Sequence, residues 1–304
     1  MKKALILADT IGQKKETFVI EIQKRLPDNC RIYLARLSDI CFYIEQGKVE
    51  MSVVGLSSDI KDYDFVYIRR AGKTFGIVAA TVAAGLDFLG VKYIDKTWAE
   101  IGPLGSKMTS LMKLAVANVN IIPTFYCWNT AIAENKQIII AKFGFPIVAK
   151  ELGTQLGKGV YLIESEADFA TLPIQTPERK GENQYLFQKF ILKKDEYRFL
   201  VLGNQVKVAE KKIATTENEF RNNVSLGARE EFLEVSSISK EIQDMAVGAS
   251  QALNIQIAGV DITTDIQGNS WVLEVNRGPG LTYDTQVSPE LTELANFIKR
   301  ELQS

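Results

Sequence analysis

Asp261, Glu274 and Asn276 are the residues whose types and spacing most directly suggest chemistry. Glu274 and Asn276 lie two apart in Leu273-Glu274-Val275-Asn276-Arg277-Gly278-Pro279-Gly280, so on a strand they share a face. A turn through Gln267-Gly268-Asn269 would fold them back beside Asp261 in Gly259-Val260-Asp261-Ile262. Two carboxylates and an amide oxygen then converge. An all-oxygen set of this kind suits a hard cation such as magnesium, which keeps several waters and takes its remaining ligands from nucleotide phosphates. The competing reading is a solvated amphipathic hairpin. Against it, both carboxylates sit within apolar runs, Ile257 to Val260 and Trp271 to Leu273, where an unpaired charge is costly.

A second candidate begins at Lys150, which ends the run Phe145-Pro146-Ile147-Val148-Ala149 and leads into Gly153-Thr154-Gln155-Leu156-Gly157-Lys158-Gly159. Glycines at these positions let backbone N–H groups approach phosphate oxygens, and the lysine adds a point charge. The spacing is not that of a P-loop: three residues separate Gly153 from Gly157, and Gly159 stands where Ser or Thr is required. A purely structural turn is the alternative reading of the same glycines.

Composition narrows the chemistry further. The chain has no histidine, which removes Ser-His-Asp and Cys-His catalysis, histidine bases and nearly all zinc and non-haem iron sites. With 304 residues, 46% of them hydrophobic, it can bury a sizeable core without staples. Balanced charge, 36 Lys plus Arg against 37 Asp plus Glu, gives no footprint for nucleic acid or an anionic membrane. Cys30, Cys41 and Cys127 are odd in number and far apart, as expected of small buried apolar residues in a reducing, cytoplasmic setting. The amino terminus lacks the apolar core of a signal peptide, because Asp9 interrupts it.

The elements that must position these residues fall into three units. Over 1–105, short β-rich runs at Ala4–Ala8, Arg31–Ala35, Asp64–Ile68 and Val91–Ile94 alternate with helical spacing, notably Lys73 to Phe88 with Gly90 at its exit. This predicts an open, mainly parallel α/β layer. No G-x-G-x-x-G follows its first strand, where Asp9-Thr10-Ile11-Gly12-Gln13 stands, so a dinucleotide fold is not expected. Gly102-Pro103-Leu104-Gly105 marks a boundary, and Ser106 is placed to cap a following helix. The unit 106–184 then predicts strands at Thr124–Trp128 and Ile147–Lys150 around a helix at Ala131–Phe143. The unit 185–304 is richer in long β runs, at Tyr185–Ile191, Tyr197–Leu202, Gln205–Glu210, Ala258–Thr264 and Trp271–Val275, with helices at Ser239–Leu253 and Pro289–Leu302. Phe42-Tyr43 is expected in the core, and Lys193-Lys194 and Arg179-Lys180 in solvated turns.

From Asp64 to Leu281 the chain resembles the ATP-grasp carboxylate–amine ligases, and within them the RimK-type branch. The motifs occur in the right order. Ser106-Lys107-Met108 leading to Ile121-Ile122-Pro123-Thr124 is similar to the segment presenting the first ATP-contacting lysine, Lys107. Lys150 and the loop with Gly153, Gln155, Gly157 and Gly159 resemble the second lysine and the phosphate-covering loop. Gln188, Lys189, Phe190 and Ile191 resemble the adenine hinge, although Lys189 replaces a usual acid. Glu196 and Arg198 resemble the acidic-x-Arg element, whose carboxylate reaches ribose. Arg221 and Asn223 resemble residues at the reacting phosphate, and Asp261, Glu274 and Asn276 match the metal triad. Val224-Ser225-Leu226-Gly227-Ala228 lacks the His and Arg of that branch, so substrate choice stays open.

The resemblance implies an ATP-grasp fold, α/β and α+β, in which the amino-terminal layer precedes two α+β subdomains that sandwich ATP. It implies ATP with magnesium, or manganese, as cofactors, and an acyl phosphate converted to an amide by an amine of an amino acid, peptide or protein, with ADP and phosphate released. Arg221 and Arg198 are the implied catalytic residues. A catalytically idle ATP-binding module, and a side-chain ligase acting on a ribosomally made peptide, are the alternatives. Arg69-Arg70 would hold a substrate carboxylate or form a surface pair. No nucleic acid or membrane partner is expected, and homo-oligomerisation is left open.

Overall fold

Strand patterning divides the chain into one sheet buried on both faces, two with a single apolar face and a two-stranded hairpin. The computed structural model describes residues 1–56, 59–72, 74–100, 106–152, 159–173, 184–213 and 229–303. The amino-terminal part runs β1 (Lys2–Ala8), α1 (Gln13–Gln23), β2 (Cys30–Arg36), β3 (Ile40–Glu45), β4 (Lys48–Val53), β5 (Phe65–Arg70), α2 (Gly76–Leu89), β6 (Tyr93–Ile94) and α3 (Thr97–Glu100). Its parallel sheet has the order β2-β1-β5-β6. Leu5, Ile6 and Leu7 are all buried, as a parallel strand covered on both faces requires. Gly90 ends α2 in the left-handed conformation that a C-terminal cap favours.

The hairpin β3–β4 was not foreseen, and it corrects the reading of Phe42-Tyr43: Phe42 packs on the core, but Tyr43 is exposed and its hydroxyl donates to Glu45. Alternation along a strand necessarily sends the two neighbours to opposite sides. Likewise Cys30 is buried but Cys41, on β3, is exposed.

The central part comprises α4 (Lys107–Val116), β7 (Thr124–Cys127), α5 (Ile132–Phe143), β8 (Ile147–Glu151), β9 (Val160–Ile163) and β10 (Tyr185–Lys189). Ser106 caps α4, its hydroxyl accepting from the Thr109 amide at 3.3 Å. The antiparallel order is β7-β10-β8-β9. Ile147, Ala149, Tyr185 and Phe187 pack on Ile132 and Ile139 of α5. The period of two therefore turns Val148, Lys150, Leu186 and Gln188 to the opposite face.

The carboxyl-terminal part comprises β11 (Lys193–Leu202), β12 (Gln205–Ile213), β13 (Arg229–Leu233), α6 (Lys240–Ala252), β14 (Ile257–Asp265), β15 (Ser270–Arg277) and α7 (Glu290–Gln303). The antiparallel order is β13-β12-β11-β14-β15. Phe199, Ala209, Val260 and Ile262 pack on Ala246 and Ala249 of α6, leaving Glu196, Arg198, Glu210, Lys212 and Asp261 on the other face. Strand β11 starts at Lys193 rather than Tyr197 because its pairing with β14 continues to Asp265. Lys193 is thus a strand residue paired with Glu196, not a solvated turn. Helix α7 returns to the amino-terminal sheet, where Leu294 and Ile298 join Phe18, Ile22 and Ile6. Among the described residues, no helix is long and apolar enough to cross a membrane.

The exit of β15 is fastened to the exit of β5. Arg69 is buried and its Nη2 donates to the Pro279 carbonyl at 3.3 Å, while exposed Arg70 donates from Nε to the Gly278 carbonyl at 3.1 Å. Gly278 has φ +52°, and a Cβ there would lie 2.2 Å from the Arg69 carbonyl oxygen. Gly278→Ala is expected to cost about 1–3 kcal/mol from the left-handed backbone alone, plus the clash. Urea denaturation of the variant checks this.

Candidate active site

Cross-strand register assembles the site. Arg198 stands directly opposite Asp261, and Asp261 opposite Glu274, while Asn276 pairs with Gly259. The strand–turn–strand expected from Gln267-Gly268-Asn269 therefore brings the three oxygen-bearing residues together. Asp261 is buried and does not stand alone. Arg198 grips it with two bonds, Nε to Oδ1 at 2.9 Å and Nη2 to Oδ2 at 3.0 Å. Lys212 donates to Oδ1 at 3.0 Å, and Asn276 Nδ2 to Oδ2 at 3.3 Å. Lys212 also donates to Glu196 at 3.0 Å, and Lys193 to the other Glu196 oxygen at 2.7 Å.

The charges explain one another. Burial alone would raise the Asp261 carboxyl, but the Lys212 ammonium and Arg198 guanidinium outweigh it and hold the group below its usual range. Burial likewise works against the Lys212 ammonium, and Asp261 and Glu196 more than restore it. Asp261 is thus ionised and faced by cations. Lys212 is the residue that sequence reasoning missed. Its signal was present, since Glu210 and Lys212 are two apart on one strand and so share a face.

Opposite this sheet, Lys150 projects from β8. Its ammonium is pushed down to about 8 by burial, then by repulsion from Lys193 and Lys107, against the opposing pull of Glu274 and Glu196. That set of neighbours is informative. Lys107 opens α4 and Lys150 ends β8 in the central part, whereas Lys193, Glu196 and Glu274 belong to the carboxyl-terminal sheet. The two sheets thus turn charged faces toward a common cleft.

Further along the same central face, Gln188 is buried and its Nε2 donates to Thr124 Oγ1 at 2.8 Å. Among the described residues its Oε1 is buried without a partner, an acceptor that suits a donor group in the cleft. Lys189 is exposed, and its backbone amide donates to the Pro123 carbonyl at 3.1 Å. Phe190 is half-buried and Ile191 buried. The Gly159 carbonyl accepts from the Glu151 amide at 2.7 Å, and Gly159 has φ +71°. Gly153, Gln155, Gly157, Arg221 and Asn223 lie outside the described residues. Among those described, no three acidic or cysteine side chains form a metal cluster, so a metal would rest on two carboxylates and an amide.

A family model, the RimK-like ATP-grasp domain, matches residues 105–295. The chain belongs to that family. A probable alpha-L-glutamate ligase of Cellvibrio japonicus is 26% identical over 263 residues, covering 85% of this chain and 84% of the relative. Among solved structures, the ATP-grasp ligase PsnB, complexed with precursor peptide PsnA2 and AMPPNP, aligns with TM-score 0.71 at 18% identity, covering 99% of this chain and 98% of that one. A D-alanyl-alanine synthetase A from Vibrio cholerae aligns with TM-score 0.67 at 16% identity, covering 99% of this chain and 97% of that one. This RimK-like protein is accordingly an ATP-grasp enzyme, a ligase that forms amide bonds at the expense of ATP.

Proposed function

We propose that this RimK-like ligase activates a carboxylate of an amino acid or peptide as an acyl phosphate and joins it to an amine of an amino acid, peptide or protein. The observation that carries the reading is the convergence of Lys107 and Lys150 from one half with Glu196 and Glu274 from the other. Two lysines on one wall facing a wall of carboxylates paired with Lys193, Lys212 and Arg198 suit a polyphosphate and its counter-ion.

Lys107 and Lys150 would neutralise the phosphates, Gln188 to Ile191 would line the adenine, and Glu196 would accept from ribose once Lys193 turns to the nucleotide. Gly153, Gln155, Gly157 and Gly159 are assigned to the phosphates, and Arg221 and Asn223 to the reacting phosphoryl group. Asp261, Glu274 and Asn276 would hold magnesium, or manganese. Their donor set fits: all three offer oxygen, Asp261 is ionised, and Lys212 and Arg198 already compensate its charge in the way a cation would. When bound, the metal neutralises charge on the phosphates and on the leaving group. Arg198 keeps Asp261 oriented. Arg69 and Arg70, beside the same end of β15, are available to position a substrate carboxylate.

The chemistry needs no histidine. The substrate carboxylate takes the terminal phosphoryl of ATP, ADP leaves, and the amine attacks the acyl carbon and expels phosphate. Catalysis is then positioning and charge neutralisation. ADP and phosphate are the expected products, formed in step with a new amide when ATP, magnesium and pooled amino acids and peptides are supplied. AMP and pyrophosphate formed in step with the amide would rule the mechanism out. Whether the acceptor is a peptide side chain is resolved by the same amide masses; the complex of PsnB with a precursor peptide favours testing peptides first.

A further inference from the structure

The polar face of the carboxyl-terminal sheet continues past Arg198 into a second group of charges. Glu210 on β12 stands opposite Arg198, and Glu230 on β13 stands opposite Lys212. Glu290 opens α7. Glu210 and Glu290 are 4% and 5% exposed. The local cations are committed elsewhere: Arg198 holds Asp261, and Lys212 holds Asp261 and Glu196. Among the described residues, Glu210, Glu230 and Glu290 therefore have no cationic partner. Glu290 is satisfied on Oε2 by the Thr282 amide at 2.7 Å and Ser288 Oγ at 3.1 Å. Glu210 is not, since its Oε1 is buried without a partner among the described residues.

An acceptor buried in that way costs free energy that an incoming donor would recover. Burial first, then the neighbouring Glu230, push the Glu210 carboxyl up to about 8, with Glu290 adding to the repulsion and Arg198 and Lys212 opposing it. Burial and Glu230 raise Glu290 as well, against its hydrogen bonds and Arg198. Glu210 therefore holds its proton near neutral pH in the free protein, and the unpartnered acceptor among three acids suits an incoming group that is positive, carries N–H donors and displaces that proton. A chelated metal ion is disfavoured, because the described carboxylates are not grouped closely enough to hold one. Glu210 is two strands from Asp261, about 10 Å across the sheet. A group bound there lies on the same polar face as Arg198 and Asp261.

We propose that Glu210, flanked by Glu230 and Glu290, is the receptor for the amine substrate, which arrives as a primary ammonium, leaves one proton on the Glu210 carboxylate and attacks the acyl carbon as the neutral amine, its second proton departing with phosphate. The proposal rests on the amide-forming reading above. It makes Glu210 a substrate-binding residue for the second half-reaction, with no part in carboxylate activation.

The test separates the two halves. Enzyme, ATP and magnesium are mixed with pooled N-acetylated amino acids and peptides as carboxylates. The nucleophile is either hydroxylamine, uncharged at neutral pH, or pooled amino-acid amides, which carry an ammonium. In E210Q, amide formation is expected to fall at least tenfold further than hydroxamate formation, through KM for the amine. E230Q, at an exposed position that the fold does not depend on, should shift the same ratio about threefold. Equal losses with both nucleophiles in E210Q, or an unchanged ratio in E230Q, overturn the receptor while leaving the ligase reading intact. Wild-type enzyme that releases no ADP and forms no hydroxamate overturns both.

Discussion

Asp261→Asn is expected to lose up to about 3–5 kcal/mol of stability along with turnover, because it leaves half-buried Arg198 without its counter-charge and buried Lys212 with Glu196 alone. Lys212 and Arg198 both close on this carboxylate, and Lys212 is only 6% exposed. Glu274→Gln is the matched comparison. Glu274 faces the same cleft but makes no ion pair among the described residues, so its loss should impair turnover at a cost below about 1 kcal/mol in stability. Urea denaturation read beside ADP release distinguishes the pair. The pH dependence has a definite sign. Because the folded carboxyl lies below the unfolded value of 3.8, its stabilisation is present above that value and is lost as pH falls through the folded one. The asparagine variant should lack that part of the acid limb.

Lys150→Ala should produce the largest loss in catalysis with the fold retained. A lysine aimed at a transferring phosphoryl supplies about 2–4 kcal/mol of transition-state stabilisation, or roughly 30- to 1000-fold in kcat/KM. Its cost in the free protein runs the other way. Burial and the ammonium groups of Lys193 and Lys107 depress Lys150 from 10.5 to about 8. Between those values the unfolded chain binds more protons than the folded one, so wild-type stability contains a contribution that rises with pH across this window. The alanine variant should lose that slope. Nucleotide phosphates restore the charged form, so ATP binding above pH 8 should take up a proton in the wild type and not in the variant. Calorimetry in buffers of different ionisation enthalpy measures this uptake, and equal uptake by both proteins would assign the phosphate contact to another group.

Much of the site was legible in the chain alone. Glu274 and Asn276 are two apart, and a short glycine turn leaves few registers in which the hairpin can close, so their meeting with Asp261 followed from strand geometry. The absence of histidine restricted the chemistry to charge neutralisation and oxygen ligands before any contact was known. Ser106 and Gly90 announced helix ends through local capping, which depends on neighbours in sequence.

What tertiary structure decided is the partner of each charge. Lys193 reads as a turn residue and Lys212 as one cation of a polar strand, yet both are drawn onto Glu196 because β11 pairs with β12 and its pairing with β14 continues, across a shift in register, to Lys193. Glu210 carries no local mark of its burial. It becomes an unsatisfied carboxylate only when Arg198 and Lys212 are claimed by Asp261, a residue about fifty positions away, and when α7 folds back to set Glu290 nearby. Side-chain alternation is local and can be read along a strand. The competition of several acids for two cations in a buried space is a property of the assembled sheet, and no window of sequence contains it.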